Sequence, residues 1–402
     1  MVTTDAALLA SVFDRSQIEA VYQPIVDLNH GDVVAAEALA RWPRLEVTPD
    51  VAFEHAYRLG RVDELDSLCQ RAAIEGLRGS GLPEGFTVFV NVEPGKSVAP
   101  LTERTTGPTL VAEITERALM HNPAELLRSV REMRSRGCGI ALDDVGAVPD
   151  SLALLPFVAP DVIKLDISLV QGWPTVDQAR ILTAVAAYAE RTGATVLAEG
   201  IETETDLRQA LALGATLGQG WYFSHPGPLA RYPPPREAIA LLGPPQEPAG
   251  LTPFELLDPR RVRVGSKGLL LSISRHIEQQ GSTLDTPPLV LSAFQDVSRF
   301  TPATGRRYGA LAARCPLVVA LGAGMTAHPV PGVRGTDLDA RDQLRREWTV
   351  VVVGTHYSGA LIARDLGDSG PDLQRRYLFA LTHDHDTVVA AARILLGRID
   401  AV

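Results

Sequence analysis

Seven apolar runs in the first half of this chain each stop at a residue able to do chemistry. Val33-Val34-Ala35-Ala36 delivers Glu37, with Arg41 four residues on, and Thr87-Val88-Phe89-Val90 delivers Asn91. Leu110-Val111-Ala112 delivers Glu113, Gly139-Ile140-Ala141-Leu142 delivers Asp143 and Asp144, and Asp161-Val162-Ile163 delivers Lys164. Ala194 to Ala198 and Ala215 to Gly218 deliver Glu199 and Gln219. Glu37, Glu113, Asp143 and Asp144 with the Asn91 carbonyl make an all-oxygen set that suits Mg²⁺ or Mn²⁺. Without Cys or His among them, zinc is disfavoured. Paired aspartates serve two ions, the usual device for displacement at phosphorus. Arg41 adds a bidentate phosphate donor, and Lys164 stands where it orients or deprotonates a water.

Such residues must be carried by elements that converge. Runs apolar on both faces read as parallel strands covered by helices, and in a β/α barrel the reactive groups gather at the C-terminal rim. Helix patterns separate the runs at Asp50 to Leu59, Val62 to Leu77, Pro123 to Ser135, Val176 to Thr192 and Thr203 to Leu213. The run Ala20 to Leu28, the turn Asn29-His30-Gly31-Asp32 and the run from Val33 read as a hairpin, so the first strand is expected antiparallel. Residues 6–20 read as a short amphipathic helix. Capping could account for one polar strand end, but not for seven in succession.

The 402 residues exceed what one core usually organises, so one large and one smaller domain are expected. The 46% hydrophobic and 21% charged composition is that of a globular protein. A net charge of −10 argues against a nucleic-acid polymer as partner. Cys69, Cys138 and Cys315 share no metal-binding spacing and read as inert thiols, as a reducing cytoplasm allows. Neither a signal peptide nor a membrane-spanning run is legible, so a cytoplasmic protein is expected.

Taken together these motifs resemble the EAL-domain cyclic-di-GMP phosphodiesterases. Glu37-Ala38-Leu39 with Arg41 matches the name-giving tripeptide and its arginine, and Tyr22-Gln23-Pro24-Ile25-Val26 matches the opening strand. Phe89-Val90-Asn91-Val92, Glu113-Ile114-Thr115-Glu116, Asp143-Asp144-Val145-Gly146, Ile163-Lys164-Leu165-Asp166, Ala198-Glu199-Gly200-Ile201-Glu202 and Gly218-Gln219-Gly220-Trp221-Tyr222-Phe223 follow in order. The resemblance implies a TIM-like (β/α)8 barrel with an antiparallel first strand, hydrolysing cyclic di-GMP to linear pGpG with two Mg²⁺ or Mn²⁺ ions. It implies metal ligation by Glu37, Asn91, Glu113, Asp143 and Asp144. Lys164, Glu199 and Gln219 are implied to position or activate the water, and Glu202 to anchor the loop after Asp144. Gln23, Leu39 and Arg41 are implied to hold the dinucleotide, and a homodimer is implied.

One stretch departs from the family. Its usual Phe-Gly-Thr-Gly-Tyr-Ser-Ser-Leu is here Val145-Gly146-Ala147-Val148-Pro149-Asp150-Ser151-Leu152, so a binding protein without turnover is the alternative. After Phe223 a proline-rich stretch with a short helix, Arg236 to Leu242, reads as a semi-rigid linker, with domains expected at 1–243 and 254–402 around a linker at 244–253. The second half alternates helix and strand as a smaller α/β sandwich. It resembles the DICT sensory domain through Ser292-Ala293-Phe294-Gln295, the helix entry from Arg299-Phe300 to Tyr308, and Glu347-Trp348-Thr349-Val350-Val351, implying an unknown ligand or partner protein there. Thr382-His383-Asp384-His385-Asp386 reads as a helix cap rather than a metal site.

Overall fold

The computed structural model describes residues 11–78, 80–83, 85–93, 108–114, 122–146, 152, 155–230, 232–243, 250–284 and 286–399. The chain forms two compact units, the first built mainly from residues 1–244 and the second mainly from residues 245–402.

The first unit is a closed eight-stranded barrel. Its strands are β1 (Glu19–Asp27), β2 (Val33–Arg41), β3 (Thr87–Asn91), β4 (Thr109–Ile114), β5 (Gly139–Val145), β6 (Val162–Leu165), β7 (Thr195–Ala198) and β8 (Leu217–Gly218). Strand β1 runs antiparallel to both β2 and β8 and closes the barrel, while every other neighbouring pair is parallel. Its helices include α1 (Pro49–Leu59), α2 (Val62–Gly76), α3 (Pro123–Ser135), α4 (Leu155–Val158), α5 (Ile167–Val170), α6 (Val176–Thr192) and α7 (Glu204–Ala212). Both α6 and α7 open on a capping box, from Thr175 and Thr203.

One buried layer organises the barrel interior: Ile25, Ala35, Phe89, Val111, Ala141, Val162, Leu197 and Leu217, one from each strand. Side chains on a strand alternate between faces, so the residue two positions further toward the rim points inward as well. Those residues are Gln23, Glu37, Asn91, Glu113, Asp143, Lys164, Glu199 and Gln219. The polar mouth is therefore the next layer above a packed apolar floor.

Two sequence expectations fail, for tertiary reasons. Residues 11–17 are two 3-10 turns (Ser11–Phe13 and Arg15–Gln17), not one amphipathic helix over 6–20, because Asp14 caps Ser16 N and the chain enters β1 at Glu19; residues 6–10 lie outside the described set. Arg236 to Leu242 is not helical: the chain bends at Arg236 and Glu237 and continues without regular structure. Ile239 and Leu241, two residues apart, both pack on the barrel core, a spacing that an extended chain provides and a helix does not.

The second unit is a seven-stranded sheet ordered β12-β11-β10-β13-β14-β15-β9. The strands are β9 (Arg263–Ser266), β10 (Leu289–Asp296), β11 (Val318–Ala323), β12 (Val333–Asp337), β13 (Glu347–Val353), β14 (Ser358–Asp365) and β15 (Arg376–Thr382). Its helices are α8 (Lys267–Thr283), α9 (Pro302–Ala312) and α10 (His385–Leu396). Strands β10, β11 and β12 are parallel and the remaining pairs antiparallel. Alternate residues of the central strands, Val290, Val350, Val352 and Leu361, join Leu270 and Ile277 of α8 and Tyr308 and Leu311 of α9 in one core. The sequence pattern shows strands at Leu289 to Phe294, Leu317 to Leu321, Trp348 to Gly354 and Tyr377 to Leu381, which correspond to β10, β11, β13 and β15, but it does not show β9, β12 or β14. Asp384 caps α10 through Thr387 N, as expected of a helix start. His356 and Tyr357 lie in the β13–β14 turn, where Gly354 N donates to Tyr357 O.

Gly220 tests how tightly the rim is built. It has φ +158°, and a Cβ there would lie 2.0 Å from Ile201 O, a backbone atom that cannot swing away. Gly220→Ala should destabilise the barrel by about 1 to 3 kcal/mol, the cost of overpacking, read as a lower urea midpoint; an unchanged midpoint would show that the rim yields.

Candidate functional site at the barrel mouth

Lys164, 1% exposed, is the centre of the mouth. Its Nζ lies 2.6 Å from Glu113 Oε1, 2.7 Å from Glu199 Oε1, 2.8 Å from Asp143 Oδ1 and 3.7 Å from Glu37 Oε2. Four carboxylates share one ammonium. Burial alone would strip the lysine of its proton, but Asp143, Glu113, Glu199 and Glu37 outweigh it and hold the ammonium well above its ordinary range. In this cluster Lys164 is held as an ammonium that donates to the carboxylates around it.

The carboxylates divide by their other partners. Glu37 accepts from Asn91 Nδ2 at 3.1 Å and from Gln219 Nε2 at 2.8 Å. Burial would raise it, yet Lys164 and these two amides bring it below the usual range. Gln219 also donates to Gln23 Oε1 at 3.1 Å, and Gln23 donates to Ser224 O, so β1 and β8 are tied to the ring. Glu113 has no such donors: burial and then the Glu37 charge push it well above its ordinary value. Its Oε2 is buried without a hydrogen bond, and its Oε1, like Asp143 Oδ1, meets no donor besides the Lys164 ammonium. Glu199 is pushed up to about 8, first by burial, with Lys164 opposing.

Asp144 breaks the strand alternation. A register shift between Leu142 and Val145 and a left-handed φ of +55° turn it away from its neighbour, and it is exposed. Burial and the Asp143 charge still push it up to about 6. Asp143, Asp144 and Glu199 offer ligand oxygens that all lie within 4.8 Å of one another, the one such group found among the described residues. Glu199, expected to handle water, therefore also belongs to a cation-binding constellation. A donor set made of hard oxygens, with one ammonium facing four carboxyl groups, fits divalent cations of the Mg²⁺ type.

Two of the residues expected to hold the dinucleotide, Leu39 and Arg41, lie beside this ring. Leu39, Arg41 and Asn91 line a cavity of about 250 Å³ between the β2 and β3 rim and helices α1 and α2. Arg41 is half-buried and its Nη1 donates to Ala40 O. Sequence reasoning missed two residues in the same cavity, Asp66 and Gln70, neighbours on one face of α2. Both are buried; Gln70 Nε2 donates to Asp66 Oδ2 at 2.7 Å, and Gln70 Oε1 has no partner. Burial and then the nearby Glu93 push Asp66 well above its ordinary value. The available signal was two polar residues inside the apolar stripe Leu65, Ala72, Ala73. Glu202 is exposed; its backbone N donates to Asp206, and residues 147–151, which it was expected to anchor, lie outside the described residues.

A closed barrel with one inverted strand, a carboxylate ring clasping a lysine and an adjoining arginine-lined cavity define a β/α barrel with a polar, carboxylate-rich mouth. The chain belongs to the EAL domain family, whose model matches residues 6–226. Residues 252–366 match a second family model, the sensory domain in diguanylate cyclases and two-component systems. Among curated relatives, the cyclic di-GMP phosphodiesterase RocR of Pseudomonas aeruginosa is 33% identical over 232 residues, 54% of this chain and 59% of RocR. The cyclic di-GMP phosphodiesterase NbdA of the same organism is 32% identical, covering 53% of this chain and 29% of NbdA. Thus the chain spans under two thirds of either relative. Of solved structures, the EAL domain protein from Listeria monocytogenes superposes with a TM-score of 0.48 at 23% identity, over 57% of this chain and 96% of that one. Among the described residues no helix is long and apolar enough to cross a membrane.

The raised carboxylates make stability depend on pH and metal. A carboxyl held above its unfolded value binds its proton more tightly in the folded state, so its contribution is present at low pH and lost as pH rises. Without metal, the melting temperature should therefore fall between about pH 4.5, the ordinary glutamate value, and about 8, the Glu199 value. Added Mn²⁺ should reverse the fall; equal melting profiles with Mn²⁺ and with chelator would contradict the site.

Proposed function

We propose that this protein hydrolyses cyclic di-GMP to linear pGpG at the barrel mouth, using two Mg²⁺ or Mn²⁺ ions. The observation that carries the reading is the Lys164 cluster, in which buried oxygens of Glu113 and Asp143, met by no donor but the lysine, sit beside Asp144 and Glu199. Family membership and relatives named as cyclic di-GMP phosphodiesterases supply the substrate.

In this reading Glu37, Asn91, Glu113, Asp143 and Asp144 hold the ions, with Glu199 close enough to share them. The ions supply Lewis acidity at the phosphoryl group. Asn91 spends its amide on Glu37, leaving its carbonyl oxygen for a cation. Lys164, as an ammonium, donates to water and phosphate oxygens. Gln219 holds both Glu37 and Gln23, fixing the ring where the ligand enters. Arg41 pairs a phosphate, and Leu39 packs against the ligand. Asp66 and Gln70 offer a carboxyl and an unpartnered carbonyl, acceptors that match the N1–H and N2–H donors on a guanine edge.

The 254–402 domain is assigned a regulatory role, with the barrel at 1–243 and the linker at 244–253. A second reading, a receptor that binds cyclic di-GMP without turnover, is favoured by Ala147, Val148 and Pro149 replacing the family loop.

Incubating the full chain with cyclic di-GMP and Mn²⁺ should yield pGpG on chromatography. Asp143→Asn should abolish turnover, and Arg41→Lys should weaken binding by about 1 to 3 kcal/mol, as losing a charge-assisted contact does. Binding with no pGpG at saturating Mn²⁺ would replace the enzyme reading with the receptor one.

A further inference from the structure

Residues 232–243, expected as linker, cross the floor of the barrel at the end opposite the mouth. Tyr232 stacks on Phe86 with ring centres 5.2 Å apart, and Arg236 pairs with Asp32 at 2.7 Å, at the starts of β3 and β2. Pro235 and Ala238 come against Gly85. Ile239 and Leu241 then pack on the innermost core layer. A Cβ on Gly139, the first residue of β5, would lie 2.5 Å from Leu241 Cδ2, so glycine there makes room for the strap.

The far end is fastened by Asp161, which is fully buried. One carboxylate oxygen accepts from Leu242 N at 2.6 Å and the other from Ile140 N at 2.6 Å. Arg134 of α3, buried as well, pairs with Asp161 at 3.2 Å and donates to Gly243 O at 3.0 Å and to Ala159 O. The Asp161 backbone N donates to Ile140 O, and its backbone O accepts from Thr195 N. One side chain thus joins the strap to the bottoms of β5 and β6, and its main chain joins β7. Ile140 lies three residues before Asp143, Asp161 three before Lys164, and Thr195 four before Glu199.

We propose that Asp161 is a positioning residue for the site: it sets the height of β5 and β6 against the strap, so a displacement of the chain at Gly243 is felt by Asp143 and Lys164 at the mouth. Rigid, short, buried strands transmit an axial shift because a packed barrel interior has no slack to absorb it. The strap is a working part of the barrel and the point where the following segment acts on it.

The turnover half of the test rests on the hydrolysis reading above; the metal half does not. In the full chain, Asp161→Asn keeps shape but loses charge, and Leu242→Pro removes the strap's N–H, along with the exposed Leu242 side chain, while leaving Arg134 and Asp161 paired. Each should leave KM for cyclic di-GMP nearly unchanged and lower kcat, by up to about 10²-fold, the loss that a misplacement of about 1 Å causes. Each should also raise the Mn²⁺ concentration for half-maximal thermal stabilisation and speed amide exchange in residues 139–146 and 161–166 over the rest of the barrel. Arg236→Ala, which removes an exposed pair of small worth, should change none of these. If Asp161→Asn fails to fold, Leu242→Pro decides alone. Parent-like kcat, Mn²⁺ midpoint and exchange in the folded variants would overturn the proposal, as would loss spread evenly over the barrel. If the parent makes no pGpG, the hydrolysis reading fails, and the Mn²⁺ midpoint and exchange still decide the strap.

Discussion

Everything at the mouth depends on one ammonium held among four carboxylates. Two like charges about 4 Å apart repel by roughly 4 kcal/mol at the effective dielectric of a protein surface, so Glu37, Glu113, Asp143 and Glu199 cannot all carry charge in one site without cations. Lys164 supplies one positive charge from the barrel axis. The pushed-up Glu113 and Glu199 and the lowered Glu37 are three outcomes of the same shortage: Glu37 has two amide donors besides the lysine, and Glu113 has none. A barrel that carries such a deficit needs an unyielding support. The eight-residue apolar layer from Ile25 to Leu217 directly beneath the ring provides it.

The strand-end residues were legible in the sequence because each follows an apolar run that the barrel buries on both faces, and because a two-residue period carries the inward direction from Phe89 to Asn91 or from Val162 to Lys164. The bend at Asp144 was not legible: a register shift and a left-handed φ come from the β5–β6 pairing, which no local pattern announces. Asp66 and Gln70 were hidden because they sit on a helix flank, away from any strand end. Arg236 to Leu242 reads as a helix by local propensity, yet Asp161 and Arg134 claim its backbone groups and the barrel core claims Ile239 and Leu241. Tertiary partners outweighed propensity there.

In the second unit, four strands are legible in the sequence: β10, β11 and β13, buried and β-branched, and β15, whose pattern runs from Tyr377 to Leu381. Strand β14 carries Gly359, Ala360 and Ala363, and β12 and β9 are short edges with a glycine each, so their propensity is weak. What the sheet buries on one face is a satisfied polar network: Ser292 and Tyr308 hydroxyls 2.6 Å apart, Tyr308 donating to Glu278, and Arg307 closing on Glu278. Burial pushes Glu278 up and Tyr308 well up, and the hydrogen bonds compensate within the core. This network accounts for itself as structure.

The central claim, that Lys164 offsets a carboxylate ring otherwise balanced by divalent cations, is tested most directly by Lys164→Met. Removing one partner of a buried charge cluster costs about 3 to 5 kcal/mol, so the metal-free variant should melt well below the parent, and Mn²⁺ should restore it by more than it stabilises the parent. A metal-free variant as stable as the parent, with an unchanged response to Mn²⁺, would contradict the account.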